Sequence, residues 1–245
     1  MQSPGGSPDA WSLARKALDE VAADSALTGL PAVLQRVCRA ACLSVTSDGA
    51  AVQVMSGTGS GTVLAGSDQR STRVAEAAFE VGEGPCLDAF TTARPILVPD
   101  LSTDGFARWP GFASVAGDLG FSACFSFPLQ SGAVRLGALD LYRRRTGGLT
   151  ADERTLALVF ADVARDNLLD PPQLSPVEAL DAGLSQALET RAEIHQAQGM
   201  VTIDLDVDLD EAMSLMRSHA FREGVPLIEV ARSILAGAKL PDPRS

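Results

Sequence analysis

The sequence predicts an α+β chain in two parts, a mixed helix-and-strand domain followed by a wholly helical one. Three observations carry that reading. Helical and strand periodicities alternate over residues 10–169. Asp170-Pro171-Pro172-Gln173-Leu174-Ser175-Pro176 then packs three prolines into six residues, which no helix can cross. From Val177 onward the apolar residues recur in steps of three and four.

In order along the chain, residues 1–9 are expected to be a flexible N-terminus. Trp11 to Leu27 reads as an amphipathic helix through Leu13, Ala17, Val21 and Ala22. Pro31 opens a second helix, with Val33, Leu34, Val37, Cys38, Ala41 and Cys42 on one face. Proline fits there because the first-turn amide has no intrahelical partner. Ala51–Met55 and Thr62–Ala65 form a hairpin across Gly57, Gly59 and Gly61. Arg73–Phe79 is helical and stops at Gly82 and Gly84. Pro95–Pro99 brackets a short strand, and Phe106–Leu119 is mostly helical with a break at Pro110-Gly111. Ala123–Leu129 and Val134–Tyr142 are a strand pair, the second half-buried by its alternation. Thr150 and Glu153 make a capping box for a helix reaching Leu169. The linker is residues 170–176.

Beyond it, Val177, Leu180, Leu184, Ala187, Arg191, Ile194, Gln198 and Val201 follow coiled-coil spacing. Leu180, Leu184, Ala187 and Ile194 are the expected seam of a parallel homodimer. Asp208 caps a second helix with Ala212, Leu215, Met216 and Ala220 inward, and Pro226 opens a third. The helical domain spans residues 177–240.

Composition limits the function. The chain has 245 residues, 46% hydrophobic and 21% charged, which is ordinary for a globular protein and excludes disorder throughout. No apolar run approaches the roughly 20 residues of a membrane helix. Met1–Ala10 lacks a basic patch followed by an apolar core, so no secretory signal is expected and the expected location is the cytoplasm. Twenty basic against 31 acidic residues give a net charge of −11, which excludes a general basic coat for nucleic acid. Arg143-Arg144-Arg145 is the densest basic run and reads as a solvent-exposed turn at a strand end. Asp204, Asp206, Asp208 and Asp210 lack the glycine and twelfth-position acid of a calcium loop and read as a solvated turn. Cys38, Cys42, Cys86 and Cys124 form no CxxC pair, and neither His195 nor His219 lies near them in sequence, so no metal site is expected. Glu83, Asp88, Asp100 and Asp140 have no nearby histidine or triad spacing, so no catalytic residue is assigned.

Two resemblances sharpen this. Val81-Gly82-Glu83-Gly84-Pro85-Cys86-Leu87-Asp88-Ala89-Phe90, with Arg94-Pro95, Val98-Pro99-Asp100-Leu101, Arg108-Trp109-Pro110 and Leu136–Tyr142, resembles the GAF domains of actinobacterial regulators. That resemblance implies a sensor domain over residues 10–169, with a central antiparallel sheet and flanking helices. It also implies a small-molecule ligand or a dimer contact. No ligand or cofactor is readable, and Cys86 is the ligand or redox candidate. Arg191–Val201, Asp210-Glu211-Ala212, Leu215–Ala220 and Glu229-Val230-Ala231 resemble an ANTAR domain. ANTAR domains are RNA-binding modules of transcription antiterminators, acting as dimers on paired stem-loops in nascent RNA. The resemblance implies RNA contacts at Arg191, His195, Gln198, Gly199, Arg217, His219 and Arg222. Many ANTAR domains have lysine where Gln198 stands, and residues 176–245 hold six basic against twelve acidic residues.

The expected function is a signal-responsive antitermination regulator that is not an enzyme. One alternative is a thiol oxidoreductase similar to free methionine sulfoxide reductase, with Cys86 as nucleophile and Cys124 as resolving thiol. The other is a protein-binding dimerisation module without RNA.

Overall fold

A computed structural model describes residues 8–21, 29–56, 61–170 and 193–241. They fall into two compact units.

The first unit is built on a five-stranded antiparallel sheet of order β2-β1-β5-β4-β3. Its strands are β1 (Gly49–Met55), β2 (Gly61–Gly66), β3 (Ile96–Val98), β4 (Ala123–Ser131) and β5 (Val134–Arg143). Helices α1 (Pro8–Glu20), α2 (Gly29–Ser44) and α7 (Ala151–Leu169) share one hydrophobic core with the sheet. That core takes Val52, Phe125, Phe127, Leu139 and Leu141 from the strands, and Leu34, Val37, Ala157 and Phe160 from the helices. The capping box of α7 forms as expected, Glu153 N donating to Thr150 Oγ1 and Thr150 N to Glu153 Oε2. Helix α3 (Gln69–Val81) runs longer than its periodicity suggested.

Successive side chains on a strand point to opposite faces. Gln53, Cys124, Ser126, Asp140 and Tyr142 therefore alternate with the core residues, and α4 (Pro85–Thr92) packs against β4 and β5. The reading of the second strand of the pair as half-buried is corrected here. Residues 137–143 of β5 are buried on both faces. Residues 101–105 form a π-type turn, followed by the short helices α5 (Phe106–Arg108) and α6 (Pro110–Asp118).

The basic run at the strand end also needs correction. Arg144 and Arg145 are exposed, but Arg143 is only 5% exposed. Its guanidinium donates to the carbonyls of Val45 (2.7 Å), Thr46 (3.2 Å) and Gly148 (3.2 Å) and pairs with Glu153. It joins the end of β5 to α7 and the loop before β1.

The described residues of the second unit include the helices α8 over residues 193–205, α9 (Leu209–Glu223) and α10 (Leu227–Leu235). Ala197, Val201, Ala212, Met216, Ala220, Val230 and Ile234 fill its core. Asp208 caps α9 by accepting from Glu211 N at 2.8 Å, and Gly224 ends it in the left-handed region at φ 65°. Leu180, Leu184, Ala187 and Arg191 lie outside the described residues. Ile194, the remaining seam residue, packs partly buried against the core of this unit.

Candidate functional site

In the first unit the chemistry gathers on the sheet face under α4. Local sequence explains why α4 forms. Gly84 takes φ 152°, Pro85 occupies the first turn, where its missing N–H costs nothing, and Ala93 closes the helix in the left-handed region. Asp88 in the first turn favours the helix dipole and pairs with Arg108 at 2.8 Å. Glu83, just ahead of α4, accepts from Gly111 N at 2.6 Å and so caps α6. These contacts place Cys86 against the sheet, 1% exposed.

Beneath Cys86 lies a buried polar cluster. Ser126 and Asp140 are direct cross-strand partners, as are Cys124 and Tyr142. Gln53 is the diagonal neighbour of Asp140 across the β1–β5 pair. Gly137 permits that pairing, since a Cβ there would collide with the Gln53 carbonyl. Gln53 Nε2 donates to Asp140 Oδ2, and Tyr142 OH donates to the same oxygen at 3.1 Å. Among the described residues, Asp140 Oδ1 and Gln53 Oε1 have no hydrogen-bond partner. Burial raises the Asp140 carboxyl to about 6, against the lowering effect of hydrogen bonds from Ser126, Tyr142 and Gln53. Burial likewise pushes the Cys86 and Cys124 thiols well above the ordinary range, with the Asp140 charge adding to it. Both sulfurs are therefore held as thiols, the unreactive form. An open cleft of about 420 Å³ lies elsewhere in this unit, between α2, β2 and the start of α3, lined by Gln35, Arg39, Asp68 and Thr72 among others.

Sequence reasoning singled out Cys86 and missed Gln53, Ser126 and Tyr142. The available signal was the polar face of two paired strands, with Asp140 between Leu139 and Leu141.

In the second unit the candidate RNA residues separate by role. Gln198 is 8% exposed, and its Nε2 donates to the Leu209 carbonyl at 2.7 Å while its Oε1 accepts from His195 Nδ1 at 3.0 Å. The amide thus holds α8 to the start of α9, and its groups are committed inside the unit. His195 is exposed. Gly199 sits within α8, where an added Cβ would meet nothing within 4 Å, so packing does not require a glycine. On α9, Arg222 donates to His219 Nδ1 at 2.9 Å. Arg217 follows the buried Met216 on the same helix. Phe221, which sequence reasoning missed, is 68% exposed beside Arg222. Its signal was an aromatic residue outside the inward spacing of Ala212, Met216 and Ala220. The structure thus links His195 to Gln198 and His219 to Arg222. Arg232 is tied to Glu193 at 2.8 Å. The reading of Asp204, Asp206, Asp208 and Asp210 as one solvated turn is corrected: Asp204 is exposed in the last turn of α8, Asp206 is exposed in the turn that follows at φ 52°, Asp208 caps α9 and Asp210 lies within it.

The described residues form an α+β unit built on a covered antiparallel sheet, followed by a small helical unit. Comparison with known proteins gives both a family. A GAF domain matches residues 28–168 and an ANTAR domain matches residues 182–235. The chain belongs to the GAF family and carries an ANTAR domain. That pairing fits a signal-sensing ANTAR regulator, since ANTAR domains bind RNA in general and GAF domains bind small molecules. Among solved structures, the chain is similar to the GAF domain of an Acinetobacter phosphoenolpyruvate-protein phosphotransferase, at 9% identity and TM-score 0.49, covering 66% of this chain and 94% of that one. It is also similar to a domain of a two-component sensor histidine kinase protein from Sinorhizobium meliloti 1021, at 19% identity and TM-score 0.46, covering 56% and 88%. No curated protein matches the chain. No helix among the described residues is long and apolar enough to cross a membrane.

Proposed function

We propose that this chain is a homodimeric, signal-responsive regulator that binds paired stem-loops in nascent RNA and lets transcription pass a terminator. It acts in the cytoplasm, where nascent RNA is made. The first unit receives a small-molecule signal and performs no catalysis.

The observation that supports RNA binding best is the exposed end of α9. Phe221 offers an aromatic face there, with Arg222 beside it and His219 hydrogen-bonded to that arginine. Unstacked loop bases are recognised by stacking on such faces, while arginine holds phosphate. Gly199 adds a place where a nucleotide can approach the α8 backbone closely. Gln198 acts as a positioning residue that fixes α8 against α9, and His195 anchors it. Arg191 and Arg217 supply further positive charge.

The test is an anisotropy titration of a paired stem-loop RNA and loop-mutated controls with the full chain. Phe221→Ala should weaken binding to the cognate loops by roughly 1–3 kcal/mol. Arg217→Ala and Arg222→Ala should weaken all RNAs more evenly. Unchanged affinity in all three variants, with the fold intact, means the RNA face is misplaced. No RNA binding by the parent chain leaves a protein-binding dimerisation module.

Against the oxidoreductase stands the burial of Cys86 and Cys124, both held as thiols. Turnover of free methionine sulfoxide that vanishes in Cys86→Ser would overturn the non-catalytic reading.

A further inference from the structure

The polar cluster under α4 is built around a carboxyl that pairs with no cation among the described residues. Asp140 is 2% exposed. The groups facing it come from every element packed around it. β1 contributes Gln53, β4 contributes Cys124 and Ser126, β5 contributes Tyr142, and α4 contributes Cys86, while Cys38 of α2 lies in the core on the other face of the sheet and feels the Asp140 charge from there. None of them carries positive charge. Gln53 and Tyr142 donate to one carboxylate oxygen, the Ser126 hydroxyl stands beside the carboxyl on the neighbouring strand, and the other oxygen has no hydrogen-bond partner among the described residues. A buried carboxylate satisfied on one oxygen alone is costly when ionised, and it becomes neutral by taking up a proton.

We propose that Asp140 is a proton-operated latch: with its proton on, α4 closes tightly on the sheet through Cys86, and loss of that proton loosens α4 locally. Separation of α4 from the sheet admits water to the carboxyl, and only the ionised form gains from that hydration. Opening and deprotonation are therefore linked. Gly84 gives the chain ahead of α4 a backbone conformation that other residues rarely adopt, and the helix beyond it is eight residues long. It is a short element with a defined boundary, suited to opening as one piece. The latch goes beyond the regulator reading and does not depend on RNA binding.

The sign follows from the carboxyl's held proton. The opening equilibrium should increase as pH rises from the ordinary carboxylate pKa of 3.8 toward about 6, by roughly a hundredfold over that span, and level off above it. Tyr142 is the single tyrosine of the chain and donates to Asp140, so its labelled Cζ resonance reports the titration directly.

The experiment follows that resonance and the hydrogen exchange of the α4 amides of the full chain from about pH 4 to pH 7.5, correcting exchange for its intrinsic pH dependence. The latch requires a Tyr142 transition near pH 6 and an α4 opening equilibrium that rises over the same range. In Asp140→Asn both should become independent of pH. Corrected α4 exchange that ignores the Tyr142 transition overturns the proposal, as does a pH dependence that persists in the variant. If Asp140→Asn does not fold, the two curves of the parent chain decide alone, supporting the latch if they move together and overturning it if they do not.

Discussion

Replacing Asp140 by Asn should stabilise the first unit at neutral pH. The carboxyl is raised from 3.8 to about 6 in the folded chain by burial. Its unfolded counterpart ionises at the ordinary value. The folded state therefore binds the proton more tightly, and stability contributed by this group is full below the unfolded pKa and falls as pH rises. The fall spans about pH 3.8 to pH 6 and amounts to about 3 kcal/mol at 1.36 kcal/mol per unit. An asparagine keeps an acceptor for Gln53 Nε2 and Tyr142 OH, carries no charge and is close in size. It should thus gain about 2–3 kcal/mol over the parent at pH 7, the lower figure allowing for an imperfectly placed amide. Glu153 is lowered in the fold, where burial is outweighed by Thr150 N and Arg143, so its stabilisation is lost as pH falls. Asp100 is lowered by its bonds from Ser102. Both are shared by parent and variant and cancel in the difference. The assay is denaturant unfolding followed by tryptophan emission. Both tryptophans, Trp11 and Trp109, belong to the first unit, so the signal reads that unit alone. A stability difference that does not vary with pH, or a variant weaker than the parent at pH 7, would refute the reasoning.

Other outcomes follow from named contacts. Arg143→Met takes the arginine away from Glu153 Oε1 and from the carbonyls of Val45, Thr46 and Gly148, and should cost about 3–5 kcal/mol in the same unfolding assay. Gly199→Ala removes a helix-interior glycine with open space around it, and should raise the stability of the second unit by about 0.5–1 kcal/mol in circular dichroism melts while weakening RNA binding. Leu184→Asp should convert a dimer to monomers in light scattering at about micromolar concentration, because it puts a charge into the expected seam. The proposed RNA face holds few arginines, so log affinity should fall only shallowly with log salt; a steep slope would mean more phosphate contacts than this face provides.

The helices around the core and the hairpins were legible because their periodicities are local. Thr150 and Glu153 announce the start of α7, Asp208 marks the start of α9, and Pro226 marks that of α10. Helix α4 was not legible, since Gly84-Pro85 is also turn chemistry and only eight residues follow. The polar cluster was hidden for a tertiary reason. Alternation in β5 assigns Asp140 to the face opposite Leu139 and Leu141, but says nothing of what covers that face. Arg143 was hidden in the same way, because the three carbonyls it satisfies are gathered from two other segments. Gln198 looked like a polar fault in an apolar seam. Its role appears only once the Leu209 carbonyl is placed within reach of its amide.

Action on transcription through stem-loop RNA is the role proposed for this chain. The most direct measurement is terminator readthrough by purified polymerase, on a template carrying paired stem-loops ahead of the terminator, with and without the full-length protein. The parent chain should increase readthrough, Phe221→Ala should lose most of the increase, and a template with mutated loops should show none. Equal readthrough with and without the parent chain, on a template whose RNA it demonstrably binds, would contradict it.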